Sequence, residues 1–244
     1  MPRLRLDLLL VQRGLSETRA RARDAVQRGT VTVNGRAVTK PGDLVADDAQ
    51  LAIDDPAARW VSRAALKLVA GLDAFGFDVA DRAALDIGAS TGGFTQVLLE
   101  RGARHVTAID VGHGQISPKV AADPRVASIE GLNARELAAN HLAHPPEVIV
   151  SDVSFISLTL ALPPALDLAA ADAVGVFLVK PQFEAGREAI GKGGLVDPQT
   201  GLAAAERVRD WLDGREGWRT VGLLPSPITG GDGNQEYLLG ARRG

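Results

Sequence analysis

From residue 83 onward the chain repeats one pattern. A short apolar run at 83–87 gives way to small residues and then to an amphipathic run at 93–101. Apolar runs recur at 105–110, 126–129, 147–152 and 173–179, each of a length suited to a buried strand. Helical spacing returns at 156–170 and 198–214, and two last strand-like runs lie at 219–223 and 236–241. Strands alternating with helices predict a mostly parallel sheet covered on both faces.

The first sixty residues read differently. Residues 3–13 predict a short helix ended by Gly14, and Ser16 is placed to cap a second helix over 17–28, ended by Gly29. Alternation on either side of Asn34-Gly35 predicts a hairpin with a two-residue turn, and strand character resumes at 50–53. A polar stretch, 54–59, follows. Ser62 is placed to cap a helix over 63–74 that carries Lys67.

The loop after the first buried run, Gly88-Ala89-Ser90-Thr91-Gly92-Gly93, joins a strand to a helix. Glycines there let backbone N–H groups approach a ligand, beside the partial positive charge of a helix N-terminus. The spacing is not the G-x-G-x-x-G of a dinucleotide site, which argues against a dehydrogenase. Asp86 precedes the loop and Asp110 closes the next strand, about where an acid takes ribose hydroxyls in nucleotide-binding sheets. Asp152 and Lys180 close two later strands, and such strand ends are where these sheets place their chemistry.

Composition narrows the options. The 244 residues are 45% hydrophobic and 23% charged, ordinary globular values. Cysteine is absent, which excludes a disulfide framework and thiolate chemistry; the four histidines form no metal-ligand pattern. No run approaches a membrane span, and the first residues lack the apolar core of a signal peptide, so a cytoplasmic protein without membrane contact is expected. Net charge is −3, yet residues 1–40 hold nine bases against three acids. A basic module on an acidic chain suits phosphate binding.

Two resemblances carry this further. Arg5-Leu6-Asp7, Ser16 with the arginines after it, and Val33-Asn34-Gly35 resemble the S-four-type RNA-binding domain. That resemblance implies that Arg5, Arg19, Arg23, Arg28 and Arg36 meet RNA phosphates. Lys67, Asp152, Lys180 and Glu236 match in order the Lys-Asp-Lys-Glu tetrad of FtsJ-like ribose 2′-O-methyltransferases. End to end, the chain resembles the TlyA family, which joins the two domains. The resemblance implies an α/β, class I (Rossmann-like) methyltransferase fold with a seven-stranded sheet. It places an RNA-binding domain at 1–55, a linker at 56–62 and the methyltransferase domain at 63–244.

The resemblance also implies S-adenosyl-L-methionine as cofactor, held by Asp86, Gly88, Ser90, Gly92, Gly93, Phe94, Asp110 and Asn133. Ribosomal RNA in ribosomal subunits is the implied partner, a cytidine ribose the implied target, with no metal required and a monomer expected. Within the tetrad, Lys180 is either base or electrostatic stabiliser, and Asp152 and Glu236 orient the lysines and the ribose. A loop at 191–194, with Lys192 and Arg187, reads as a basic lid. The alternative is an rRNA-binding or ribosome-assembly protein without catalysis. The family's haemolysin label finds no membrane-inserting segment here.

Overall fold

The computed structural model describes residues 2–244. The chain forms two compact units, one ending at Arg59 and one beginning at Trp60. The first contains β1 (Arg3–Arg5), α1 (Leu6–Gln12), α2 (Arg19–Gln27), β2 (Val31–Val33), β3 (Arg36–Ala37), β4 (Leu44–Ala46) and β5 (Leu51–Ile53). Its core is Leu6, Leu10, Ala22, Ala25, Val26 and Val31, the inward faces of both helices and the central strand.

Two local expectations fail here for identifiable reasons. The helix expected over 3–13 starts only at Leu6, because residues 3–5 pair antiparallel with 44–46; tertiary pairing overrides local helical spacing. The second helix is capped by Thr18 rather than Ser16: the Thr18 hydroxyl accepts the Arg21 N–H at 3.2 Å. The hairpin forms as expected, with Asn34 at φ 50° and Gly35 at φ 77°, the two positive values that a type I′ turn requires.

The second unit runs through α3 (Ala65–Phe75), β6 (Ala83–Ile87), α4 (Gly93–Glu100), β7 (His105–Asp110), α5 (Pro118–Ala121), β8 (Val126–Glu130), β9 (Val148–Ser151), α6 (Leu158–Ala161) and α7 (Pro163–Asp167). It continues with β10 (Val174–Val179), α8 (Pro181–Glu184), α9 (Pro198–Asp213), β11 (Trp218–Pro225) and β12 (Tyr237–Arg243). The single helix expected over 156–170 is two short ones, since Pro163-Pro164 interrupts it. Trp60, read as linker, is 6% exposed and packs in this unit's core.

The seven strands lie in the order β11-β12-β10-β9-β6-β7-β8. All neighbours are parallel except β12, which runs antiparallel to both β10 and β11. The central strands are buried on both faces, which is why they read as unbroken apolar runs. One core layer lies under α3 and α4, the other under α6, α7 and α9. The chain order reverses between β6 and β9, and crevices at such a switch point bind ligands.

Two glycines let α3 settle on the sheet. A Cβ at Gly71 would stand 2.7 Å from Val176 Cγ1, and one at Gly240 would stand 2.5 Å from the Phe75 ring. Because Lys67 lies one turn before Gly71, this close seating also sets the depth of Lys67. Gly71→Ala is therefore expected to cost about 1–3 kcal/mol through overpacking, measured as a lower denaturation midpoint with unchanged m value.

Candidate active site

Topology assembles the site. Asp152 directly follows β9 and Lys180 directly follows β10; these are parallel neighbours, so both residues stand at the same edge of the sheet. Strand β12 is antiparallel, so its beginning lies at that edge, and Tyr237 pairs with Val179. Glu236, just before Tyr237, thus arrives beside Lys180. Lys67 comes down from α3 onto the same place.

The four side chains form two ion pairs. Lys67 Nζ donates to Glu236 Oε2 in a pair that is almost wholly buried, its side chains 7% and 3% exposed. Lys180 Nζ stands 2.6 Å from Asp152 Oδ1 and donates to Ser154 Oγ at 2.8 Å. Burial pushes the Glu236 carboxyl up, and the charges of Lys67 and Lys180 oppose that shift. The pairs thus sense one another. Sequence reasoning quoted the segment holding Ser154 but assigned it no role; its place two residues past Asp152 was the available signal.

Beside the tetrad, at the switch point, runs a cleft of about 920 Å³. Gly88, Ser90, Asp110 and Asn133 line it, together with Ile109, Val111 and Leu132. Gly93 and Phe94 line a smaller recess that also touches Asp152, Ser154 and Lys180. Gly92, which lines neither, takes φ 88°, and a Cβ there would meet Val120 at 3.0 Å. Gly88 is needed for close approach: at φ 81°, its missing Cβ would sit 3.0 Å from the Asp152 carbonyl.

The loop differs from expectation in where its N–H groups go. Those of Gly88 and Ala89 donate to the Ile109 carbonyl, that of Gly92 to Ala89, and that of Ser90 to Asp110 Oδ2 at 2.8 Å. The loop is therefore tied mainly to the end of β7, and Asp110 is held in place by Ser90 and by the Gly112 N–H at 2.7 Å.

Asp86 lies beneath the loop rather than in the cleft. It is fully buried; Thr95 donates to Oδ2 at 2.6 Å, and Oδ1 has no hydrogen-bond partner. Burial, aided by the charges of Asp152 and Asp110, pushes its pKa up to about 7.

The cleft fits an adenosine-bearing ligand: an apolar slot, a fixed carboxylate at Asp110 for vicinal hydroxyls, and a glycine at the point of closest approach. At its rim Phe155 is 91% exposed and pairs with Phe183, ring centroids 5.2 Å apart. Sequence reasoning missed this pair. Its signal was the place of the two aromatics, each a few residues past a strand end, Phe155 after β9 and Phe183 after β10.

The loop at 191–194 is tied down. Asn234 accepts the Val196 N–H and donates to the Gly194 carbonyl, both at 2.8 Å, linking that loop to the segment carrying Glu236.

In the first unit, Arg19, Arg23 and Arg36 are exposed, and Arg5 is partly so. Arg28 departs from expectation. Its guanidinium is held by Asp24 at 2.6 Å and Asp55 at 2.7 Å with the side chain only 13% exposed, a structural role rather than a presented cation.

A seven-stranded sheet of this order, with a cleft at the switch point and its chemistry at the strand ends, defines the class I methyltransferase fold. An FtsJ-like methyltransferase family model matches residues 60–243, and an S4 domain model matches residues 4–51. The 16S/23S rRNA (cytidine-2′-O)-methyltransferase TlyA of Mycobacterium tuberculosis is 45% identical, over 98% of this chain and 90% of its own. Hemolysin A of Brachyspira hyodysenteriae is 40% identical over 96% of this chain and 98% of its own. A solved structure described as a hemolysin, from Streptococcus thermophilus, superposes with a TM-score of 0.72 at 40% identity, covering 100% of this chain and 89% of the other. The chain belongs to the TlyA family, whose FtsJ-like methyltransferase domain follows an S4 domain.

The raised pKa of Asp86 has a sign that can be checked. Between the unfolded carboxyl pKa and about 7, the folded state holds a proton that the unfolded state has lost. Stability contributed by this neutral carboxyl is present at low pH and fades as pH rises to about 7. Asp86→Asn, which keeps a neutral side chain, is expected to flatten the fall in melting temperature between about pH 4 and 7. An unchanged pH profile would show that Asp86 is ionised in the fold.

Proposed function

We propose that this protein transfers a methyl group from S-adenosylmethionine to a ribose 2′-hydroxyl of ribosomal RNA, with cytidine as the target nucleoside. The observation that carries this reading is the Lys180–Asp152 pair at the recess adjoining the cleft, with the buried Lys67–Glu236 pair behind it. The name of the M. tuberculosis relative supports the cytidine and both ribosomal subunits as substrates. A reaction on ribosomal RNA implies the cytoplasm as the place of work and calls for no metal; the proposed working unit is a single chain.

A ribose hydroxyl is a weak nucleophile and must lose its proton as it attacks. When bound, S-adenosylmethionine supplies an electrophilic methyl group on a sulfonium. Gly88, Asp110 and Asn133 hold that donor in the cleft, and Asp110 takes its ribose hydroxyls. Lys180 Nζ, fixed by Asp152 and Ser154, meets the target 2′-oxygen and handles the charge that develops there. Glu236 keeps Lys67 in place behind it. Holding donor and acceptor in line supplies much of the rate. Phe155 and Phe183 offer an aromatic face on which an unstacked base can rest.

The catalytically silent alternative predicts donor-independent RNA binding and a dispensable tetrad. Lys180→Ala is expected to lower methyl transfer about 10²–10⁴-fold, while donor binding by calorimetry is unchanged. Full activity in this variant would sink the reading. Lys180→Arg keeps the charge without a readily lost proton: partial activity assigns charge stabilisation to Lys180, and a loss as deep as alanine's assigns it the base.

A further inference from the structure

Asp7 sits in the first turn of α1 with no exposed surface. Its carboxylate is shared by two arginines. Arg5 grips it with both ends of its fork, Nε to Oδ1 at 3.0 Å and Nη2 to Oδ2 at 2.9 Å; Arg19 Nε donates to Oδ2 at 3.0 Å. The arginine side chains are 42% and 52% exposed. The Leu6 and Asp7 N–H groups bond to the Asp43 and Pro41 carbonyls, so the carboxylate stands on fixed backbone.

The stoichiometry is telling. Arg28 is one base held by two acids and is nearly buried, an arrangement that fixes structure and presents no net positive charge. Around Asp7 the count is reversed: one buried acid holds two exposed bases, leaving a net positive charge at the surface. Arg5 Nη1 and both Nη groups of Arg19 have no protein partner among the described residues. Arginine forks match phosphate oxygens, and fixing them beforehand lowers the entropy lost on binding. Gly42 adds a second sign of fit. A Cβ there would meet Arg5 Nη1 at 3.1 Å, so the glycine leaves the guanidinium its place.

We propose that Asp7 is a positioning residue for RNA, holding Arg5 and Arg19 side by side so that their outward N–H groups grip one phosphate. The pull of Arg5 and Arg19 holds the Asp7 carboxyl at about 2, so the clamp stays charged at any working pH. The inference rests on the rRNA reading above, and its test separates the two.

The test is binding of the full chain to unmodified small and large ribosomal subunits across a salt series, with methyl-transfer kinetics alongside. Asp7→Asn raises the charge of the module by one. Simple electrostatics predicts tighter binding; the clamp predicts binding weaker by about tenfold. The clamp also predicts a slope of log affinity against log salt shallower by about one, and KM raised with kcat unchanged. Gly42→Ala changes no charge and is expected to weaken binding about threefold by displacing Arg5; it decides the matter if Asp7→Asn lowers the melting temperature severely. Equal or tighter binding with an unchanged salt slope in either folded variant overturns the clamp alone. Salt-independent or absent binding by the unaltered protein overturns the RNA reading and the clamp with it.

Discussion

The buried ion pair between Lys67 and Glu236 joins residues 169 positions apart, one on the first helix of the larger unit and one at the entry to its last strand. Two charges withdrawn from water cost more than their attraction repays unless the geometry is good, and an apolar pair would often be as stable. Removing one partner leaves a buried charge, at a cost of about 3–5 kcal/mol. A pair of this kind is therefore poorly explained by stability. Here it fixes α3 to β12 immediately beside Lys180 and Asp152, and it fills the region with alternating charge. The small residues around it follow from the same demand. Gly71 and Gly240 bring α3 down to the sheet, and Gly230 leaves room for the Glu236 carboxylate, which a Cβ would approach to 2.8 Å.

The sheet order supplies the rest of the site. Because β9 and β10 run parallel and β12 runs against them, the ends of two strands and the start of a third share one edge. The same reversal of order opens the cleft between β6 and β9. The glycine loop works there as a close-packed turn tied to the end of β7, and it anchors Asp110 at the cleft. Asp86 beneath it has its pKa raised to about 7 because burial outweighs the Thr95 hydrogen bond.

The larger unit was legible in the sequence because its strands are buried on both faces. Each reads as an apolar run with a polar residue at its end, and Asp110, Asp152 and Lys180 were found that way. Lys67 and Glu236 were not readable from pattern alone, since a helix lysine and a strand-edge glutamate are ordinary surface residues until topology joins them; the family resemblance supplied them. The smaller unit was misread where long-range pairing overrides local preference, as at residues 3–5. It was misread again at Arg28, whose acids lie 4 residues before and 27 after it. Asp7 was quoted within a motif, but its burial and its two partners belong to the fold. Phe155 escaped notice because exposure at φ 65° cannot be inferred from an apolar side chain.

The measurement that tests the central claim most directly is transfer of labelled methyl from S-adenosylmethionine to unmodified ribosomal subunits, with nuclease digestion and identification of the labelled nucleoside. The account predicts label in a 2′-O-methyl nucleoside, with cytidine as the base. Label on a base would keep the fold and the cleft but contradict the role given to the two lysine–acid pairs.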